Sequence, residues 1–191
     1  MSKREVRVGA LRTRRGLTPD QVQALSRRIR DNVVSLDEFR CAKVVASYVA
    51  KREEAQTAGI LKSALESGKR VIVPRSDPSS VTLRFHEIKG FEELHPGTYG
   101  ILEPPSNSRH VPLSSSDLVL VPVVAWDSRG NRMGYGKGYF DRALRSRGAA
   151  PCVGLAFEVQ RQDEVPSTSA DVPLDILVTE DRVIRFRGDG A

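Results

Sequence analysis

Apolar residues recur along this chain at two spacings, and the change from one to the other outlines the elements. From Lys3 to Arg14 the pattern is helical, with Val6, Ala10 and Leu11 on one face. A turn follows at Gly16. Thr18-Pro19-Asp20-Gln21 then reads as a helix start, with Thr18 as cap, Pro19 at the first helical position and Gln21 closing a capping box. Val22, Leu25, Ile29 and Val33 line the inner face of that helix. Lys43 to Val49 and Arg70 to Pro74 are β-branched runs separated by a helical pattern that ends at Gly68. Strand, helix, strand is the unit of a parallel sheet. Val81 to Ile88 alternates as a further strand, and the stretch from Pro96 to Ser116, rich in Pro, Gly and Ser, predicts an ordered loop packed over the body.

Asp117 to Ala125 is nearly all apolar, as expected of a central strand covered on both faces. A polar, glycine-rich turn follows, then a helix from Tyr139 to near Arg147 and a strand from Cys152 to Phe157. Asp175 to Thr179 and Val183 to Phe186 complete the pattern around a turn at Glu180-Asp181. No repeat, low-complexity tract or linker interrupts it. With 191 residues, 39% of them hydrophobic, the chain suits one core, and a single domain over residues 1–191 is expected.

Composition narrows the class. No apolar run reaches the roughly 20 residues that cross a bilayer, and the charged N-terminus is unlike a signal peptide, so a soluble cytoplasmic protein with no membrane partner is expected. Cys41 and Cys152 form no C-x-x-C pair, and His86, His95 and His110 lack ligand spacing, so neither a zinc site nor a disulfide is expected. The net charge is +6, yet residues 1–30 alone hold nine Lys/Arg and two Asp/Glu, a net of +7. That segment could follow a nucleic-acid backbone, form a solvated helix face or bring cations to a smaller polyanion. Aromatic residues are only 6% and do not interleave with its arginines, which argues against a nucleic-acid stacking platform.

The chemistry concentrates in Trp126-Asp127-Ser128-Arg129-Gly130-Asn131-Arg132-Met133-Gly134-Tyr135-Gly136-Lys137-Gly138-Tyr139-Phe140-Asp141. It follows the most apolar strand and precedes a helix, where open α/β sheets hold ligands. Glycines at 134, 136 and 138 would let backbone amides approach a phosphate, and the next helix offers its positive dipole end. Arg132 and Lys137 add charge, and Asp141 could hold Mg²⁺ or form a local salt bridge. The segment is neither a P-loop, since Gly138 follows Lys137, nor a dinucleotide fingerprint, since Tyr139 stands where glycine is needed. A flexible strand-to-helix connection is the competing interpretation.

This segment resembles the signature of the 5-formyltetrahydrofolate cyclo-ligase family, Phe-Asp, a spacer Gly, then Arg-Leu-Gly-x-Gly-x-Gly-Tyr-Tyr-Asp, with Trp126, Met133 and Phe140 as apolar or aromatic replacements. The resemblance extends to Lys3 and Arg7, to Tyr48, Glu54 and Thr57, to Pro74 and Gly100–Pro104, to Gly154–Phe157 with Gln160, and to Asp171 and Asp175–Glu180. Ala170 departs from the polar residue usual before the late aspartate.

The resemblance implies an α/β fold of three layers, α/β/α, with a mostly parallel Rossmann-like sheet of the NagB/RpiA/CoA-transferase type and N-terminal helices packed on it. It implies ATP binding by Lys3, Arg7, Arg132, Gly134, Gly136, Lys137, Gly138, Tyr139 and Phe140, with Arg132 and Lys137 catalytic. Val49, Glu54, Tyr135 and Tyr139 would meet the folate, Tyr139 alternatively packing the helix start, and Asp141 and Asp171 would hold Mg²⁺. The implied reaction cyclises 5-formyltetrahydrofolate to 5,10-methenyltetrahydrofolate with ATP as co-substrate. The alternative is a related ATP-dependent enzyme with a non-folate substrate. The expected partners are these small molecules and no nucleic acid, and a monomer is expected.

Overall fold

The computed structural model describes residues 2–51 and 53–186. Residue 1 and residues 187–191, the outer ends of the expected domain, lie outside the described residues, as does Arg52. Helix α1 (Lys3–Arg15) begins at a capping box between Ser2 and Glu5, and α2 (Pro19–Ser35) at the expected box between Thr18 and Gln21. After the short α3 (Asp37–Cys41) come β1 (Val44–Ser47), α4 (Ala58–Glu66), β2 (Arg70–Asp77) and β3 (Thr82–Ile88). The second half supplies β4 (Leu118–Pro122), α5 (Tyr139–Leu144), β5 (Cys152–Leu155), β6 (Ile176–Val178) and β7 (Val183–Arg185). No described helix is long and apolar enough to cross a membrane.

The seven strands form one sheet in the order β7-β6-β5-β4-β1-β2-β3. β2, β1, β4, β5 and β6 run parallel, while β3 and β7 add antiparallel edges. Both faces are covered, because successive side chains of a strand point to opposite faces. Val45, Val71, Leu118, Leu120 and Val153 pack against Val22, Ile29 and Val33 of α2 and Ile60 and Leu61 of α4. Val44, Ala46, Ile72, Val119 and Val121 pack on the opposite face with Trp126 and Leu144 of α5. The mostly parallel α/β sheet expected from the sequence is therefore present.

Three details differ from the sequence pattern. The apolar run to Ala125 is not one strand: Pro122 has no N–H for the ladder, and Ala125–Trp126 leaves the sheet to pair with Arg132–Met133 as a separate ribbon. The carbonyls of Val123 and Val124, between these two pieces, accept from the buried Gln160 amide at 2.7 and 2.9 Å. Helix α5 stops at Leu144, because the next amides, of Ser146 and Arg147, reach back only three residues, to Ala143 and Leu144. Finally, α2 packs on the sheet, but α1 does not. Its Val6 and Ala10 sit on Val124, Ala125, Met133 and Val165, beyond the carboxyl ends of the strands. The 96–116 loop is ordered, and its bonds from Glu87 N–H to Arg109 and from Val111 N–H to Phe85 cover the free edge of β3.

Candidate active site

The strand order turns around between β1 and β4. From β1 the chain crosses to β2 on one side, and from β4 it crosses to β5 on the other, so a crevice opens between their carboxyl ends. A cavity of about 490 Å³ occupies it, floored by Tyr48 and Val49 after β1, Pro122 of β4 and Pro74 of β2. That volume is in the range of small-molecule sites. The glycine loop forms one wall, α1 another, and the Tyr99–Glu103 segment a third.

The ribbon that carries the loop is built on Asp127, which is fully buried. Its carboxylate accepts from the amides of Arg129 (2.9 Å), Asn131 (3.0 Å) and Val165 (3.0 Å). Two positions beyond the ribbon demand glycine. Gly136 has φ +98°, and a Cβ there would lie 3.0 Å from Arg7 Cζ. Gly138, at φ +70°, is the residue from which α5 starts. Arg7 spans the loop, donating from Nε to the Gly134 carbonyl at 3.0 Å. Because α5 has only six residues, its dipole is short, and the positive potential comes mainly from side chains.

Lys137 Nζ donates to the Tyr99 hydroxyl at 2.7 Å and lies 4.0 Å from that ring's centroid. The Tyr99 and Tyr139 hydroxyls are 3.4 Å apart. Lys137, and then Tyr139, hold the Tyr99 phenol below its ordinary range, while the contact with Tyr99 pushes Tyr139 up to about 12.

The other cations meet the candidate metal ligands. The buried Arg132 donates to Asp141 Oδ1 at 2.6 Å, an oxygen that also accepts the Val172 amide at 3.2 Å. Lys3 Nζ lies 2.5 Å from Asp171 Oδ2, which Thr168 also holds through its amide and hydroxyl. Burial pushes Asp171 up, but Lys3 and Thr168 together outweigh it and hold the carboxyl low. Both halves of the Asp141 expectation are thus compatible: it forms a local salt bridge and still faces the cavity. Asp141 and Asp171 both line the cavity, and carboxylates are hard oxygen donors of the kind Mg²⁺ takes together with phosphate oxygens. No cluster of three or more His, Cys, Asp or Glu suited to a metal occurs among the described residues, so the ligand set fits an ion shared with a phosphate rather than a protein cage.

Glu54 also lines the cavity; it is buried and accepts the Lys51 amide at 2.6 Å. Its loop is held by Tyr48, whose hydroxyl donates to the Ala55 carbonyl at 2.7 Å, and by Thr57, which donates to the Tyr48 carbonyl at 2.9 Å. Tyr135 also lines the cavity and accepts from Arg14 at 2.6 Å. Burial pushes Glu54 up, against hydrogen bonds from Lys51 and Tyr135 and the charges of Arg14 and Lys51. Burial likewise pushes the Tyr135 phenol up.

All the residues given a binding, catalytic or metal role from the sequence line this one cavity: Lys3, Arg7, Val49, Glu54, Arg132, Gly134 to Asp141 and Asp171. Phe140 divides its surface, packing on both halves of the core as well. Two participants were missed. Tyr99 lies in a loop with no periodic pattern, and only its left-handed φ of +58° sets it apart. Arg14 had a readable signal, since it continues the helical stripe of Lys3 and Arg7.

Residues 1–180 match the profile of the 5-formyltetrahydrofolate cyclo-ligase family. The chain is 32% identical over 182 residues to the 5-formyltetrahydrofolate cyclo-ligase of Haemophilus influenzae, covering 92% of this chain and 97% of that one. The enzyme of the same name from Escherichia coli is 32% identical over 174 residues, covering 89% and 96%. Among solved structures, the 5,10-methenyltetrahydrofolate synthetase of Aquifex aeolicus superposes with a TM-score of 0.88 at 32% identity, over 100% of this chain and 96% of that one. With the glycine loop, the Lys3–Arg7 stripe and Glu54 converging on one cavity, and the match running nearly end to end, the chain belongs to the 5-formyltetrahydrofolate cyclo-ligase family.

Proposed function

We propose that this chain, acting as a single cytoplasmic domain and as a monomer, cyclises 5-formyltetrahydrofolate to 5,10-methenyltetrahydrofolate, releasing ADP and phosphate from ATP in a Mg²⁺-dependent reaction. The observation that carries this reading is the convergence of two kinds of groups on one cavity. Its lining presents Lys3, Arg7 and Lys137 around a loop whose glycines admit close backbone approach, together with a buried carboxylate, Glu54, and with Tyr135 and Val49. The first suits a triphosphate and the second the N–H-rich edge of a reduced pterin.

A formamide oxygen is a weak nucleophile, and as hydroxide it is a poor leaving group. Transfer of the γ-phosphoryl group to that oxygen makes phosphate the leaving group, after which the neighbouring folate nitrogen attacks the formyl carbon and expels it. Such chemistry needs alignment and charge neutralisation rather than a protein nucleophile. Arg7 and Lys137 steady the triphosphate, and Arg132 is the buried cation behind it. Val49 and Tyr139 bound the heterocycle while Glu54 accepts its N–H groups. Asp141 and Asp171 would hold Mg²⁺, which would supply charge neutralisation to the phosphate groups.

Incubation of the protein with 5-formyltetrahydrofolate, ATP and Mg²⁺ should produce the methenyl-folate absorbance, and Lys137→Ala should abolish it. Nucleotide-binding protein that leaves 5-formyltetrahydrofolate unchanged would refute the folate assignment in favour of a related ATP-dependent enzyme, which a panel of other substrates would then define.

A further inference from the structure

Lys137 stands between two glycines in the left-handed region, Gly136 at φ +98° and Gly138 at φ +70°. Glycine flanks give the backbone little steric guidance of their own, so another contact must fix where the Lys137 side chain starts. Arg142 of α5 supplies it. Its Nη2 donates to the Lys137 carbonyl at 2.5 Å and its Nε to the Val81 carbonyl at 2.8 Å. Both partners are main-chain carbonyls, and the planar guanidinium spans them from one rigid fork. Arg142 is exposed and is not part of the cavity wall, so neither core packing nor the cavity itself accounts for its placement. The far end of this strut is a turn built to hold its shape. Residues 78–81 join β2 to β3, and the Asp77 carboxylate accepts from the Ser79 amide at 2.9 Å, the Ser79 hydroxyl at 2.6 Å and the Ser80 hydroxyl at 2.8 Å. Val81 sits in that turn at φ +52°. A β-branched residue is strained there, and such strain persists only where the surroundings over-determine it, as they do around functional sites.

We propose that Arg142 is a positioning residue for Lys137: by bridging the β2–β3 turn to the glycine loop it fixes the peptide from which Lys137 reaches the triphosphate. The inference rests on the reading of Lys137 as a phosphate-binding group. Lys137 is then held at both ends, its carbonyl by Arg142 and its Nζ by the Tyr99 hydroxyl at 2.7 Å. The second contact reports on the first without any ligand. Lys137, and then Tyr139, hold the Tyr99 phenol below its ordinary range, with Lys51 adding to the charge of Lys137. Freeing the Lys137 backbone loosens its ammonium from Tyr99, so the phenol moves back up.

The test is Arg142→Met, with two readouts. The ¹³Cζ titration of Tyr99, assigned by its disappearance in Tyr99→Phe, should shift to higher pH. The Kd for the β,γ-imido analogue of ATP with Mg²⁺, read by calorimetry, should rise about fivefold, the loss expected for one exposed hydrogen bond, while the KM for 5-formyltetrahydrofolate moves less than about twofold. Arg142→Lys, which keeps the charge and loses the fork, should recover part of both effects. On a Lys137→Ala background Arg142→Met should add little to the Kd, because the two residues act in series. A wild-type Tyr99 titration in Arg142→Met would overturn the proposal whatever the Kd, since a weaker Kd would then mean that Arg142 meets the nucleotide itself. An undiminished rise in Kd on the Lys137→Ala background would overturn it as well. A shifted titration with unchanged Kd, or no nucleotide binding by the wild type, would count against the phosphate role of Lys137 alone, since the Tyr99 titration still decides whether Arg142 positions that lysine.

Discussion

Replacing Gly136 with alanine perturbs the phosphate end of the cavity by one methyl group, and its cost can be worked from the structure. At φ +98° the backbone lies beyond the left-handed minimum, and an L-residue there is strained by about 1–2 kcal/mol. The new Cβ would lie 3.0 Å from Arg7 Cζ and 3.2 Å from both terminal nitrogens. The guanidinium can give by a few tenths of an ångström, but its Nε is tied to the Gly134 carbonyl at 3.0 Å. Stretching that bond adds about 1 kcal/mol. The total, about 2–3 kcal/mol, corresponds to a fall of about 5–10 °C in Tm for a chain of this size. Because Arg7 and the loop amides both shift, the KM for ATP should rise about tenfold while that for the folate stays within about twofold. Gly9→Ala is the internal control: Gly9 lies within α1 with nothing within 4 Å of an added Cβ, so alanine should stabilise by about 0.5–1 kcal/mol. Differential scanning calorimetry and initial-rate kinetics read both variants. If Gly136→Ala matched the wild type in Tm and in ATP KM, the loop would not be held in a left-handed turn against Arg7, and the account of the phosphate end would fail.

Other substitutions probe the remaining contacts. Asp141→Asn removes the charge partner of Arg132, whose side chain is 2% exposed, so it should destabilise by about 3 kcal/mol in denaturant titration and weaken the Mg²⁺ dependence of turnover. Unchanged stability would mean that Arg132 finds its compensation elsewhere. Asp127→Ala strips the acceptor from the amides of Arg129, Asn131 and Val165 and should cost about 3–5 kcal/mol, with loss of ATP binding when the ribbon loosens. Glu54 is raised in the folded state by burial, so its linked contribution to stability is full below the ordinary glutamate range and is lost as pH rises through its elevated value. Glu54→Gln should therefore raise Tm more at pH 8 than at pH 5, while increasing the folate KM. A Tm difference independent of pH would contradict the burial argument.

Much of this protein follows from its residues read in order. The capping box at Thr18, the helical stripe of α2, the β-branched runs on either side of α4 and the glycine spacing at 134, 136 and 138 are local features, and local features survive in a linear sequence because each depends on neighbours a few positions away. The resemblance of the glycine segment also made Lys3, Arg7, Glu54 and Asp171 legible as a set before any geometry was known. What the linear pattern could not contain is which distant groups meet. Only the sheet order sets β1 beside β4 and so opens the crevice between their carboxyl ends. Only the docking of α1 on the ribbon, rather than on the sheet, brings Arg14 to Tyr135 across 121 positions of sequence and Lys3 to Asp171 across 168. The break of the apolar run at Pro122 and the approach of Tyr99 to Lys137 belong to the same class. Hydrophobic periodicity reports which face of an element is buried, but not against what, and the pairing of buried charges is settled when the elements pack.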